Sequence, residues 1–265
     1  MQDDSNRQHE HDESIVSQFT KQAVSFTKMK EHSNEDEFRL IYSLAKVKQD
    51  DIVLDVACGP GLVACALAKT AKHVTGIDLT PAMIEQARLL QTEKGLKNIT
   101  WKVGNANPLP YDDSSFSLVV TRYSFHHFLD PRSVLFEMKR VCTPGNGRVA
   151  VIDVTPPAEK ADAYNRMEKL RDPSHARAMP LAKLHDLIKE AGLTGIETGS
   201  YKMDVDLEEI LQATLTKAED SEKVRQMFAD DLANGSLGVG SYVQDGRVRF
   251  AFPITVIVGT KEKAA

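Results

Sequence analysis

The chain has 265 residues, 42% of them hydrophobic and 27% charged, with a net charge of -5. That balance suits a globular protein, long enough for one large α/β domain or a core with an appended cap. It excludes a membrane span, since no apolar run nears the roughly 20 residues required, and it argues against nucleic acid, since no dense Lys/Arg cluster is present.

Met1–Ser14 has no signal-peptide core, and residues 1–13, charged and without apolar spacing, read as a disordered tail. Three cysteines, Cys58, Cys65 and Cys142, form no CxxC pair. A reducing, cytoplasmic setting fits them best. From Ser14 to Lys30, Ile15, Phe19, Ala23 and Phe26 recur at nearly helical spacing. A second helix is predicted from Asn34, with Glu37 three residues later completing a capping box. Strand and helix then alternate: Ile52–Val56, a helix from Leu62 to Lys69, His73–Asp78, and a helix capped by Thr80 and stopped by Gly95. The rhythm continues through Ile99–Val103, Phe116–Arg122, a helix opened by Asp130–Pro131, and Arg148–Val154. Such alternation predicts a parallel sheet covered by helices on both faces, with ligands at the carboxyl ends of the strands.

After Val154 the rhythm breaks. Ala163, Met167 and Leu170 mark a short helix, Leu181–Ala191 a longer one, and Gly195–Met203 a sixth strand. Residues 206–234 read as two more helices, with a capping box at Asp206 and Glu209, either covering the active site or forming a dimer contact. A turn at Asp245–Gly246 precedes the last apolar segment, Phe250–Gly259.

The run Ile52–Val56 carries Asp55 near its end and turns through Ala57, Cys58, Gly59, Pro60 and Gly61 into a helix. Glycines there let backbone approach a ligand, and the helix start aims unpaired N–H groups at it. Gly59-x-Gly61-x-x-Ala64 fits a dinucleotide fingerprint, which keeps an NAD(P)-dependent oxidoreductase open as an alternative. Asp55 argues otherwise, because a carboxylate aimed into the loop repels a pyrophosphate and favours a ligand bearing a cationic amine. No Tyr-x-x-x-Lys dyad follows.

The Asp55–Gly61 loop, the acidic strand end Gly76–Ile77–Asp78, Gly104–Asn105–Ala106, and Phe125–His126–His127–Phe128 occur in an order that resembles class I S-adenosylmethionine-dependent methyltransferases. The similarity is to the small-molecule branch that includes the ubiquinone/menaquinone C-methyltransferases, and it spans about residues 15–200. Two positions depart from the pattern: Ala57 stands for the usual first glycine, and Asn105 for the usual acidic residue. The resemblance implies a Rossmann-like, seven-stranded, mostly parallel sheet whose last strand is antiparallel, and S-adenosyl-L-methionine as cofactor. It divides the chain into lid helices (14–47), cofactor-binding core (48–155), lid segment (156–180), core helix and strand six (181–205), helical insertion (206–245), and last strand with tail (246–265).

Residue by residue, the resemblance implies that Asp55 holds the methionyl ammonium beside Ala57, Cys58, Gly59 and Gly61. Asp78 would hold the ribose hydroxyls, Asn105 and the Ala106 N–H the adenine edge, with Asn105 as an ordinary turn residue the alternative, and Arg122 the methionyl carboxylate or an anionic substrate. Leu79 and Met83 either sandwich the adenine or, for Met83, simply fill core. A histidine titrates near neutrality and can accept a proton; His126, then His127, are candidate bases, or else hold backbone at a helix entrance. His175 is a candidate substrate contact. Thr121–Arg122–Tyr123–Ser124 replaces the Asn/Asp-Pro-Pro-aromatic motif of enzymes that methylate amides or base amines, which favours an oxygen or carbon of a small molecule. Alternatively, the fold binds the cofactor without methylating. The remaining expectations are no metal and a monomer or homodimer.

Overall fold

The computed structural model describes residues 2–28 and 35–263, with side chains from Asn6 to Ala23 and from Glu37 onward. Two helices, α1 (Gln2–Lys28) and α2 (Glu35–Ala45), precede the sheet. Strands β1 (Ile52–Val56), β2 (His73–Asp78), β3 (Ile99–Val103), β4 (Leu118–Arg122) and β5 (Gly147–Val154) are joined by α3 (Leu62–Leu67), α4 (Pro81–Glu93) and α5 (Pro131–Val141). Beyond them come α6 (Ala161–Arg171), α7 (Leu181–Glu190), β6 (Thr194–Asp206), α8 (Leu207–Ala213), α9 (Ala218–Asn234), β7 (Tyr242–Gln244) and β8 (Arg247–Lys261).

The sheet order is β3-β2-β1-β4-β5-β8-β6, with β7 paired to β8 off this path. The first five strands are parallel, and β8 runs antiparallel to β5 and β6. Eight strands rather than seven result, because the Asp245–Gly246 turn folds Tyr242–Gln244 back on Arg247–Arg249 as a hairpin. Because a strand's side chains alternate in direction, β1 and β4 feed two cores. Val53, Leu118 and Val120 pack with α2, α3 and α4, while Leu54, Val56 and Val119 pack with α5 and α7. Burial on both faces explains why these strands read as continuous apolar runs.

The expected disordered tail is corrected: helix α1 begins at Gln2. Its polar residues find partners that no apolar pattern reveals, in i,i+4 pairs (Gln8 with Asp12, His9 with Glu13) and on the core, where His11 Nε2 donates to the His127 carbonyl at 2.7 Å. Asn34 and the side chain of Phe26 lie outside the described residues. Glu37 is spent elsewhere, accepting from Arg122 Nη2 at 3.0 Å. Thr80 sits at the N-cap of α4 without a side-chain cap bond; its N–H instead donates to Asp78 Oδ1 at 2.8 Å. Asp130 does cap α5, accepting from the Ser133 N–H, and Asp206 caps α8 through the N–H groups of Glu208 and Glu209.

The strand order reverses between β1 and β4, so a crevice opens beyond their carboxyl ends. Asp55, Asp78 and Arg122 stand at the ends of β1, β2 and β4. The positions were legible as strand ends; their convergence is a product of the topology.

Candidate functional site

β1 delivers Asp55 in register with Gly76 and Val120 at the centre of the sheet. The chain then turns sharply, with positive φ at Ala57 (52°), Gly59 (52°) and Gly61 (82°). For Ala57 that left-handed conformation costs about 1–2 kcal/mol, strain stored where the loop meets the cavity. Asp78 pins the turn: its Oδ2 accepts the Gly59 N–H at 2.8 Å while Oδ1 takes the Thr80 N–H. Burial raises the Asp78 pKa, and those two N–H groups oppose the rise.

A cavity lies over this turn, walled by the ends of β1, β2 and β4, by the loop after β3, and by α1. Asp55, Ala57, Cys58, Gly59, Asp78, Leu79, Met83, Asn105, Ala106, Arg122 and His127 all line it. Three residues expected in the site do not: Gly61, His126 and His175. Gly61 serves packing, since a Cβ there would stand 2.6 Å from the Trp101 ring and 2.9 Å from the Ala87 Cβ. Trp101 reaches this place from β3 and leaves equally little room at Gly76. Close packing of helix and sheet therefore already requires a glycine at this position.

Asp55 is the electrostatic anomaly of the cavity. It is 1% exposed, and its Oδ2 has no hydrogen-bond partner. Burial raises its pKa to about 8, a rise that the Ala64 backbone N–H only partly offsets and the nearby Asp78 reinforces. A buried carboxylate without a partner is costly, and a cation in the cavity would relieve it. Cys58 is a small wall residue whose thiol is pushed up by burial and then by Asp55 and Asp78, so it is no nucleophile at neutral pH. Arg122 lines the cavity but its guanidinium is engaged by Glu37 of α2 and lies 4.2 Å over the Tyr123 ring. Asn105, another lining residue, behaves as a turn asparagine. Its Oδ1 accepts the Asn107 N–H at 3.0 Å, and its Nδ2 donates to Asp12 Oδ2 at 3.0 Å.

The two adjacent histidines share a single 3-10 turn, Phe125–His127, with ring centroids 4.2 Å apart, yet they make different bonds. His126 is clamped: its N–H donates to Asp153 Oδ2 at 3.0 Å, its Nδ1 lies 2.6 Å from Asp153 Oδ1, and its carbonyl accepts from Ala176 and Arg177. Burial opposes its charged form, but the Asp153 carboxylate outweighs this and raises its pKa. Holding backbone is thus what His126 visibly does. His175 is buried behind it, its Nε2 2.7 Å from Asn165 Oδ1.

His127 is different. Ser174 Oγ donates to Asp172 Oδ1 at 2.6 Å and therefore cannot donate to the ring. His127 Nδ1, 3.0 Å from the Ser174 carbonyl, must carry the proton. Its Nε2 is left as the acceptor nitrogen of a residue that lines the cavity. Burial, then the charge of His126, hold its pKa down to about 4, so the ring is neutral near pH 7.

Residues 156–180 and 206–245 contribute no wall to the cavity. Within these segments Tyr164 and Met167 of α6 are core, and the Thr214 carbonyl at the end of α8 anchors α1 through Gln18 and Gln22. The wall that sequence reading missed is the start of α1, with Gln8, His11 and Asp12; Ile15 and Phe19 were visible as its apolar side. Phe19 stacks edge-on to His127 at 5.1 Å.

Comparison with known proteins finds methyltransferases. The family described as "Methyltransferase domain" matches residues 54–151, the stretch from β1 to β5. An uncharacterized methyltransferase of Bacillus subtilis (strain 168), YcgJ, is 32% identical over 167 residues, 62% of this chain and 66% of that protein. A demethylmenaquinone methyltransferase of Deinococcus radiodurans is 42% identical over 108 residues, 40% of this chain and 44% of its own length. The chain thus spans just under two thirds of the first relative and under half of the second. In shape, the crystal structure of YcgJ superposes with a TM-score of 0.80 over 87% of this chain and 100% of that one, at 24% identity.

Proposed function

Because the chain belongs to the class I S-adenosylmethionine-dependent methyltransferases, we propose that it transfers the methyl group of S-adenosylmethionine to an oxygen or carbon of a small-molecule acceptor. The observation that carries this reading is the unpartnered Oδ2 of buried Asp55, in a cavity reached by three strand ends. An amino-acid ammonium would favour the ionised form that burial opposes at Asp55, whereas a diphosphate would oppose it further.

When bound, the cofactor supplies a methyl group already activated on a sulfonium. What the chain contributes is binding, orientation, exclusion of water and, where the acceptor is acidic, removal of a proton. Asp55 would hold the ammonium and Asp78 the ribose, with the Gly59 turn fixed beneath them. Leu79 and Met83 give an apolar bed: Met83 is 2% exposed, yet lines the cavity. Phe19, Phe128, Leu129 and Val134 make much of the remaining wall apolar and suit an aromatic or aliphatic acceptor. Several relatives are named demethylmenaquinone methyltransferases, which supports a small organic acceptor for this chain too. Neutral His127, with Nε2 free to accept, replaces His126 as the proposed general base.

The test is calorimetry with S-adenosylhomocysteine against NAD and NADP, followed by mass-spectrometric search for methylated products among small organic acceptors. Binding of the thioether nucleoside alone is expected. Tight binding of a dinucleotide with no response to S-adenosylhomocysteine would overturn the proposal.

A further inference from the structure

We infer that Asp12, carried into the cavity by α1, accepts the exocyclic amino group of the cofactor's adenine and sets the specificity for that base. The inference rests on the cofactor reading above and deepens it. It begins from Asn105, whose carboxamide oxygen accepts the Asn107 N–H and whose nitrogen points at Asp12. An amino group approaching this side of the cavity therefore meets a carboxylate that comes from a different element.

Asp12 is built into place. Gln8 Nε2 donates to its Oδ1 at 2.7 Å, and Asn105 Nδ2 donates to its Oδ2 at 3.0 Å. All three residues line the cavity. Among the described residues both carboxylate oxygens are met by neutral amides and by no cation. An ionised carboxylate offers about four acceptor sites, so two amide donors leave capacity for a third. The helix is registered by polar bonds: His11 Nε2 to the His127 carbonyl at 2.7 Å, Gln18 Nε2 and Gln22 Nε2 to the Thr214 carbonyl at 2.9 and 2.8 Å. The sheet sets the span. Asp55 and Asp78 stand at the ends of β1 and β2, and the loop at Asn105 follows β3; the three strands are neighbours in that order. A ligand whose ammonium sits at Asp55 and whose ribose sits at Asp78 brings its base to Asn105 and Asp12.

The chemistry is discriminating. Adenine presents an amino donor, whereas hypoxanthine presents a carbonyl oxygen at the same carbon, which a carboxylate repels. The experiment is calorimetry on the full chain with S-adenosylhomocysteine and S-inosylhomocysteine, for wild type, Asp12→Asn and Asp55→Asn. Wild type is expected to prefer the adenosyl compound by at least about tenfold. Asp12→Asn should bind that compound at least about tenfold more weakly and lose most of the preference, since its amide can donate to the inosyl oxygen. Asp55→Asn should weaken both compounds alike and keep the preference. Unchanged affinity and preference in Asp12→Asn, with wild type binding normally, would overturn the role of Asp12 alone. Failure of wild type to bind either compound would overturn the cofactor reading, and this inference with it.

Discussion

At the scale of single residues, a carboxylate and an imidazole are both held away from their ordinary titration ranges by burial, with opposite consequences. Asp55 ionises only near pH 8, because burial penalises its charge. The folded pKa exceeds the unfolded value, so the fold binds more protons than the unfolded chain between the two. The resulting stability contribution is fully present below the usual carboxylate range and is lost as pH rises through 8. A cationic ligand needs the ionised form, so affinity for S-adenosylhomocysteine should climb with pH up to about 8 and then level off. In Asp55→Asn calorimetry should show weak binding with that pH dependence removed; an unchanged slope would place the titrating group elsewhere. His127 and His126 make the complementary case. If His127 accepts a proton from the acceptor, His127→Gln should lower kcat about 10²–10⁴-fold with little change in cofactor Kd. His126→Gln, which disturbs the Asp153 clamp, should chiefly lower the melting temperature.

At the scale of elements, the contact between α3 and the sheet depends on having no side chain at Gly61. Trp101, fixed by its Nε1 bond to Gln91 Oε1 at 2.6 Å, occupies the space a Cβ would need. Gly61 also has φ 82°, so an alanine there meets both a steric and a conformational penalty. Gly61→Ala should cost roughly 2–4 kcal/mol in denaturant unfolding, whereas Gly59, with open space around its Cβ position, should lose little beyond the conformational cost. Helix α1 is the other element with a distinct expectation. It walls the cavity, yet it is tied down largely by polar bonds, such as His11 to His127 and Asp12 to Asn105. Ligand binding and helix docking should therefore stabilise each other. Saturating S-adenosylhomocysteine should slow limited proteolysis within residues 2–28 by at least about tenfold relative to ligand-free protein. Equal cleavage rates would show that the helix docks without regard to the cavity.

At the scale of the whole molecule, the parallel core and its helices follow from local signals that survive folding unchanged. Continuous apolar strands, the Asp55–Gly61 turn, Pro131 after the Asp130 cap, and Asp206 before α8 each specify their element through backbone chemistry and burial alone. The same holds for the acidic strand ends, because a charged residue near the close of an apolar strand lies at the strand's carboxyl end whatever packs around it. Long-range geometry was invisible to those signals. Nothing local distinguishes Glu37 as a capping residue from Glu37 as a partner of Arg122, 85 positions away. Nor does spacing tell which of two adjacent histidines faces a cavity, since the difference arises from one 3-10 turn clamped by Asp153 and Ser174. The polar start of α1 is the extreme case. Its sequence has no apolar stripe, so only the docked core, offering the His127 carbonyl and the Asn105 amide, supplies the partners that make it part of the site. Sequence alone determined the elements, their order and the acidic loop, because these depend on neighbours along the chain; tertiary structure decided which side chains share the cavity, because that depends on neighbours in space.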